Sequence, residues 1–187
     1  MDKSSIVYLI TNNVFTKVMT NVDATYRRIK NWLIDSNGFT VQELQDKDSY
    51  FIFLINRIDR ESHTVPITLS FPKYLINNME CVLLILQWDI HTKSGMMSAI
   101  LNDPQMTSQF IVNLKKKLDL TKYKLEILPN EQDIKSIKIF KIMPVITLQR
   151  EYLIDEIINL WTQYDRYLLA VNICFGMSSL TGPEDYR

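Results

Sequence analysis

Two segments of this chain are apolar on both sides, and that constrains the fold more than any other feature. In Tyr50–Ile58, Phe51, Phe53 and Ile55 alternate with Tyr50, Ile52 and Leu54. In Glu80–Ile90, Val82, Leu84, Leu86 and Trp88 alternate with Cys81, Leu83 and Ile85. Successive side chains of a strand point to opposite faces, so strands that are apolar at both parities require cover on both faces. The chain's own helices on both sides, its amino-terminal arm, a second copy or a different protein are the possible sources of the second cover.

The neighbouring segments supply the rest of the sheet. Phe39–Gln45 joins Tyr50–Ile58 through Asp46-Lys47-Asp48, a short hairpin turn. Thr64–Phe71 alternates Val65, Ile67, Leu69 and Phe71 against Thr64, Pro66, Thr68 and Ser70. Pro66 lacks an N–H, which predicts an edge strand or a bulge there. A second hairpin pairs Lys122–Leu128 with Ile134–Ile146, the latter ending by Pro144.

Helices are read from spacing and punctuation. Val22, Tyr26, Ile29 and Leu33 recur on one side of a helix over 22–36, ended by Asn37-Gly38. A helical region over 94–120 is split by Pro104, and its longer piece carries Phe110, Ile111, Leu114 and Leu118 on one side. Thr147 is expected to cap a long final helix, Leu148 to Phe175, ended by Gly176. The order α-ββββ-α-ββ-α with short turns predicts an α+β domain with a mainly antiparallel sheet of five to six strands and three helices. The domain spans 22–176, between an arm at 1–21 and a polar tail at 177–187.

Composition narrows the functional classes. The 187 residues hold 21 Lys+Arg and 21 Asp+Glu, so no net charge marks a nucleic-acid binder. With 47% apolar residues the chain can order itself as one domain. No run approaches the length of a membrane span, and Met1-Asp2-Lys3-Ser4-Ser5 does not open a signal peptide, which predicts a cytoplasmic protein. Cys81 and Cys174 each sit in an apolar run and read as reduced core thiols.

Catalytic signatures are missing from the sequence. Four glycines supply no phosphate cradle, no G-x-S-x-G occurs, and no Cys/His spacing suits zinc. His63 falls in a polar loop. His91 follows a strand end and shares a strand face with Asp89, the one pairing that suits a ligand site or enzyme, the least supported reading. Asp155-Glu156 reads as a solvated helix face, because adjacent helix positions do not face each other. No catalytic residue, metal or cofactor is expected.

Two binding readings follow. A protein-interaction module, acting as a homodimer or as an adaptor for another protein, accounts for the surplus apolar face. Val65, Ile67, Leu69 and Phe71, with Trp161 and Leu168 of the last helix, are its candidate surface. The alternative is nucleic-acid or ribonucleoprotein association through Arg27, Arg28 and Lys115, Lys116 and Lys117.

The element order, with Ile29-Lys30-Asn31-Trp32-Leu33 before Asn37-Gly38-Phe39, Tyr50-Phe51-Ile52-Phe53-Leu54, Val65-Pro66-Ile67-Thr68-Leu69 and the strand–helix ending over 133–175, resembles the type III secretion chaperone-like fold. More closely it resembles an uncharacterised archaeal family of that fold. The resemblance implies a dimeric, non-enzymatic protein that binds segments of other proteins.

Overall fold

A computed structural model describes residues 22–58, 65–90 and 95–174. The amino-terminal arm, His63, His91 and the polar tail lie outside the described residues. The described part of α1 covers 22–34. It is followed by β1 (Phe39–Leu44), β2 (Ser49–Arg57), β3 (Ile67–Pro72), β4 (Cys81–Asp89), α2 (Gly95–Asn102), α3 (Pro104–Lys117), β5 (Lys124–Pro129), β6 (Ile134–Pro144) and α4 (Arg150–Cys174). The six strands form one antiparallel sheet in the order β1-β2-β3-β4-β6-β5.

Local chemistry sets most boundaries. Asn37, at φ 50, takes the left-handed position after α1. In the β1–β2 turn the Asp46 carboxylate accepts from the Asp48 N–H and the Ser49 hydroxyl. Asp103 caps α3 by accepting from the Gln105 and Met106 N–H groups, and Pro104 opens the helix, where its missing N–H costs nothing. Asn77 and Asn78 both take positive φ between Ile76 and Met79, whose backbones bond each other reciprocally at 3.0 Å.

Three expectations need correction. β3 is central, between β2 and β4, and not at an edge. Pro66 precedes the first paired residue, Ile67, so its missing N–H takes nothing from the ladder. Thr147 does not cap α4: it lies in a 3-10 turn, Val145–Thr147, and its hydroxyl donates to the Pro144 carbonyl. The first α4 bond runs from the Leu153 N–H to the Gln149 carbonyl. Four described helices replace the three expected, because Pro104 makes two separate elements of the middle region.

The described helices pack on one face of the sheet. That face carries Phe51, Phe53 and Ile55 of β2, Ile67, Leu69 and Phe71 of β3, Val82, Leu84, Leu86 and Trp88 of β4, and Ile137, Ile139 and Met143 of β6. On it, Tyr26 of α1 stacks on Phe53 and meets Phe51 edge-on at 5.5 Å. Tyr164 and Tyr167 of α4 pack against Trp88, and Phe110 of α3 packs on Tyr167. The sealed core between sheet and helices includes Ile29, Leu33, Phe53, Leu84, Phe110 and Leu160. Each such side chain contributes about 1.5–3 kcal/mol by leaving water.

Candidate interaction face

The opposite face of the sheet is apolar, and no described helix packs on it. Cross-strand register sorts its side chains into rows. One row reads Leu44, Ile52, Ser70, Leu83 and Ile142 from β1 to β6. The next reads Gln42, Leu54, Thr68, Ile85, Phe140 and Lys124. Beyond them the pattern turns polar, with Thr40, Asn56, Gln87, Lys138 and Glu126. Ile52, Leu54, Leu83, Ile85, Phe140 and Ile142 are half-buried, against full burial of their alternates. Leu44 and Tyr50 are exposed at the end of the band.

Charge on this open face lies at the β5–β6 edge and at the far end of β4, where Asp89 is exposed. At the β5–β6 edge Lys138 pairs with Glu126 at 2.8 Å and lies over the Phe140 ring, while Lys124 approaches the same ring from β5. The β1 edge presents Thr40 and Gln42, which carry no charge. The face is therefore an apolar band flanked on one side by polar rows, a surface anatomy that suits a protein interface.

The sequence-derived surface residues fall elsewhere. Ile67, Leu69 and Phe71 are buried under the helices, because their parity in β3 matches that of the covered alternates in β2 and β4. Val65 is half-buried, and its carbonyl accepts from Trp161 Nε1 at 2.9 Å. Trp161 itself is buried against Phe39. Folded this way, Val65, Ile67, Leu69, Phe71 and Trp161 form no exposed surface. Leu168 is 42% exposed, on the outer side of α4. A further exposed apolar set, Tyr74, Leu75, Met79 and Ile146, lies at the β3–β4 loop and the β6–α4 junction.

The basic residues do not gather. Arg28 reaches the Val145 carbonyl and stacks over Trp32, on the helix that rides on β2. Lys115 pairs with Glu131 in the turn ahead of β6, whereas Val145 lies just past the other end of that strand. The 11 residues of β6, rising about 3.3 Å each, put more than 30 Å between them. Arg27 and Arg28 thus share no surface with Lys115, Lys116 and Lys117. Asp89 is exposed at its strand end. Among the described residues no group of three or more His, Cys, Asp or Glu is arranged to hold a metal. Cys81 is buried, with its thiol pushed up by burial, and Cys174 is a half-buried free thiol.

One polar cluster went unseen in the sequence reading. Asp155 is exposed as expected, but Glu156 is buried, and it pairs with Lys141 of β6 at 2.7 Å. Their side chains are 8% and 13% exposed. The Tyr123 hydroxyl donates to the second Glu156 oxygen at 2.7 Å, and the Lys141 ammonium lies between the Tyr123 and Tyr152 rings. The signal was present in the sequence as a charge at an inward position of each element. Lys141 falls between Ile139 and Met143, and Glu156 lies beside Leu153 and Ile157 on the buried side of α4. All the charges of the cluster are matched within it, so it fastens α4 to β6 and leaves no group free for chemistry.

These groups give the fold an alkaline limit. Burial alone would lower the Lys141 pKa, but hydrogen bonds with Glu156 and Tyr152 outweigh it and hold the ammonium above its ordinary 10.5. Burial, followed by the Glu156 hydrogen bond, raises Tyr123 well above 10.0, and burial pushes Tyr167 up to about 12. A raised pKa contributes stability in full below the unfolded value and loses it as pH rises through the folded one. The urea midpoint is expected to be insensitive to these groups up to about pH 9.5 and to fall above about pH 10. Tyr123→Phe should flatten part of that fall; a midpoint that drops equally steeply in Tyr123→Phe contradicts the assignment.

Comparison with known proteins supports the fold. No family model matches the chain, and no curated protein is similar to it. The chain is similar in structure to an uncharacterized protein from the archaeon Methanothermobacter thermautotrophicus, seen in a crystal structure, with a TM-score of 0.64 at 15% identity. The match covers 79% of this chain and 96% of that one. No helix among the described residues is long and apolar enough to cross a membrane.

Proposed function

We propose that this chain is a protein-interaction module, without catalytic chemistry of its own, that works through the open face of its sheet. The observation that carries this reading is the pair of apolar rows spanning β2, β4 and β6 with no described helix over them. Burying them against a protein partner removes apolar area from water at about 25 cal/mol per Å². The absence of a cofactor and of a metal is part of the same proposal, as is the type III secretion chaperone-like assignment of the fold, under which a protein-binding role is the natural one. Nucleic-acid association loses its motivation once the two basic groups stand at opposite ends of β6.

Site-specific photo-cross-linking tests the reading. A photoreactive side chain at position 85, on the open face, is expected to give covalent adducts with a protein in the expressing cell. The same group at position 158, where Ile158 is exposed on α4, is expected to give none. Equal yields at the two positions, or none at 85, would remove the open face as the interaction surface.

A further inference from the structure

We infer that the open face is covered by the same face of a second copy, with the two-fold axis parallel to the strands and lying between β3 and β4; this rests on the open face being an interaction surface. Three observations favour a second copy in that orientation.

The first is the lengthwise asymmetry of the face. Apolar rows occupy one half of the strand length and polar rows the other. A two-fold parallel to the strands keeps each row at its own height, so apolar rows meet apolar rows across the whole sheet. A two-fold perpendicular to the strands through the middle of the sheet would lay the apolar half on the polar half.

The second is charge. The proposed axis exchanges the two edges, placing the Lys124, Lys138 and Glu126 edge over the uncharged Thr40 and Gln42 edge of the second copy. At these edges no like charges are set against each other, the arrangement an isologous interface favours, and Asp89, the other charge of this parity, lies past the apolar rows at the end of β4.

The third is shape and area. Beside the axis, Leu83 and Ile85 of β4 lie over the small Ser70 and Thr68 of the second copy's β3, large against small. Farther out, Ile52 meets Ile142 and Leu54 meets Phe140. Six strands averaging about eight residues give a face of about 29 by 26 Å. Its accessible area is close to the ~800 Å² per partner of a stable dimer.

Light scattering and cross-linking on the purified full chain test this. The wild type is expected at twice the 22.0 kDa of one chain at micromolar concentration. Ile85→Lys should give a single-chain mass with an unchanged circular dichroism spectrum. Ile52→Cys/Ile142→Cys in a Cys174→Ser background should form a covalent dimer with a short thiol cross-linker, and neither single variant should. Within one chain those positions are three strand spacings apart, about 14 Å, beyond such a linker.

A wild-type protein of single-chain mass overturns the second copy, and Ile85→Lys then shows what else falls. If that variant keeps its thermal midpoint, the face is open for another protein and the interaction reading survives. If it loses more than about 10 °C, the face is sealed within the chain and both readings fall. A dimer that Ile85→Lys leaves intact overturns the inference by placing the interface elsewhere.

Discussion

Lys141→Met is expected to destabilise the fold by about 3 kcal/mol, read as a drop in the urea midpoint at neutral pH with an unchanged slope. The substitution keeps the length and packing of the side chain but leaves Glu156 buried with the Tyr123 hydroxyl as its remaining hydrogen-bond partner. A buried carboxylate that loses its cation retains its desolvation cost, so removing one member costs more than the pair contributes. The double variant Lys141→Met/Glu156→Leu should therefore recover most of the loss, since two apolar side chains can pack where two charges did. Independent, additive losses in the double variant would show that the pair is not coupled, and that α4 is held on β6 by packing alone.

The second large effect separates the two faces of one strand. Phe53→Ala should cost about 4 kcal/mol, because Phe53 is fully buried beneath Tyr26 and beside Phe51, and truncation leaves a cavity in a close-packed core. Its sequence neighbour Leu54 points to the open face, and Leu54→Ala should cost about 1 kcal/mol in a dissociated subunit. In an assembled protein that second cost becomes concentration-dependent, since part of it is then paid in association. Thermal denaturation over a range of protein concentrations measures both quantities. Equal, concentration-independent losses at 53 and 54 would mean that both faces are sealed within one chain, and the interaction proposal would lose its basis.

Much of the architecture was legible because it is written in short-range periodicity. The alternation in Tyr50–Ile58 and Glu80–Ile90, the Asp46-Lys47-Asp48 turn, the break at Pro104 and the spacing of Ile29 and Leu33 each act within a few residues of backbone. The corresponding elements lie within three residues of the expected bounds. The misplacement of β3 had a local cause as well. Placing Pro66 within the strand forces an edge position through its missing donor, whereas pairing starts one residue later.

The binding surface was misread for a different reason. Alternation divides Val65, Ile67, Leu69 and Phe71 from Thr68 and Ser70, but it does not say which set faces the helices. That is decided by which parity of β2 and β4 lies beside each set, and by the side on which α1 and α4 dock. The Lys141–Glu156 pair was hidden in the same way. A lone charge on an apolar stripe can mark solvent, a strand end or a buried partner, and the partner here is 15 positions away on another element.

What the sequence alone determined is the set of elements, their order and the surplus of apolar side chains at both parities of β2 and β4, because these follow from steric and hydrophobic preferences acting between near neighbours. Only the tertiary structure decided which parity is covered, where the open rows run and which charges find each other. Those choices depend on a strand order with β6 inserted beside β4 and on helices that return to a single face, and contacts between distant residues carry no signature in any one stretch of chain.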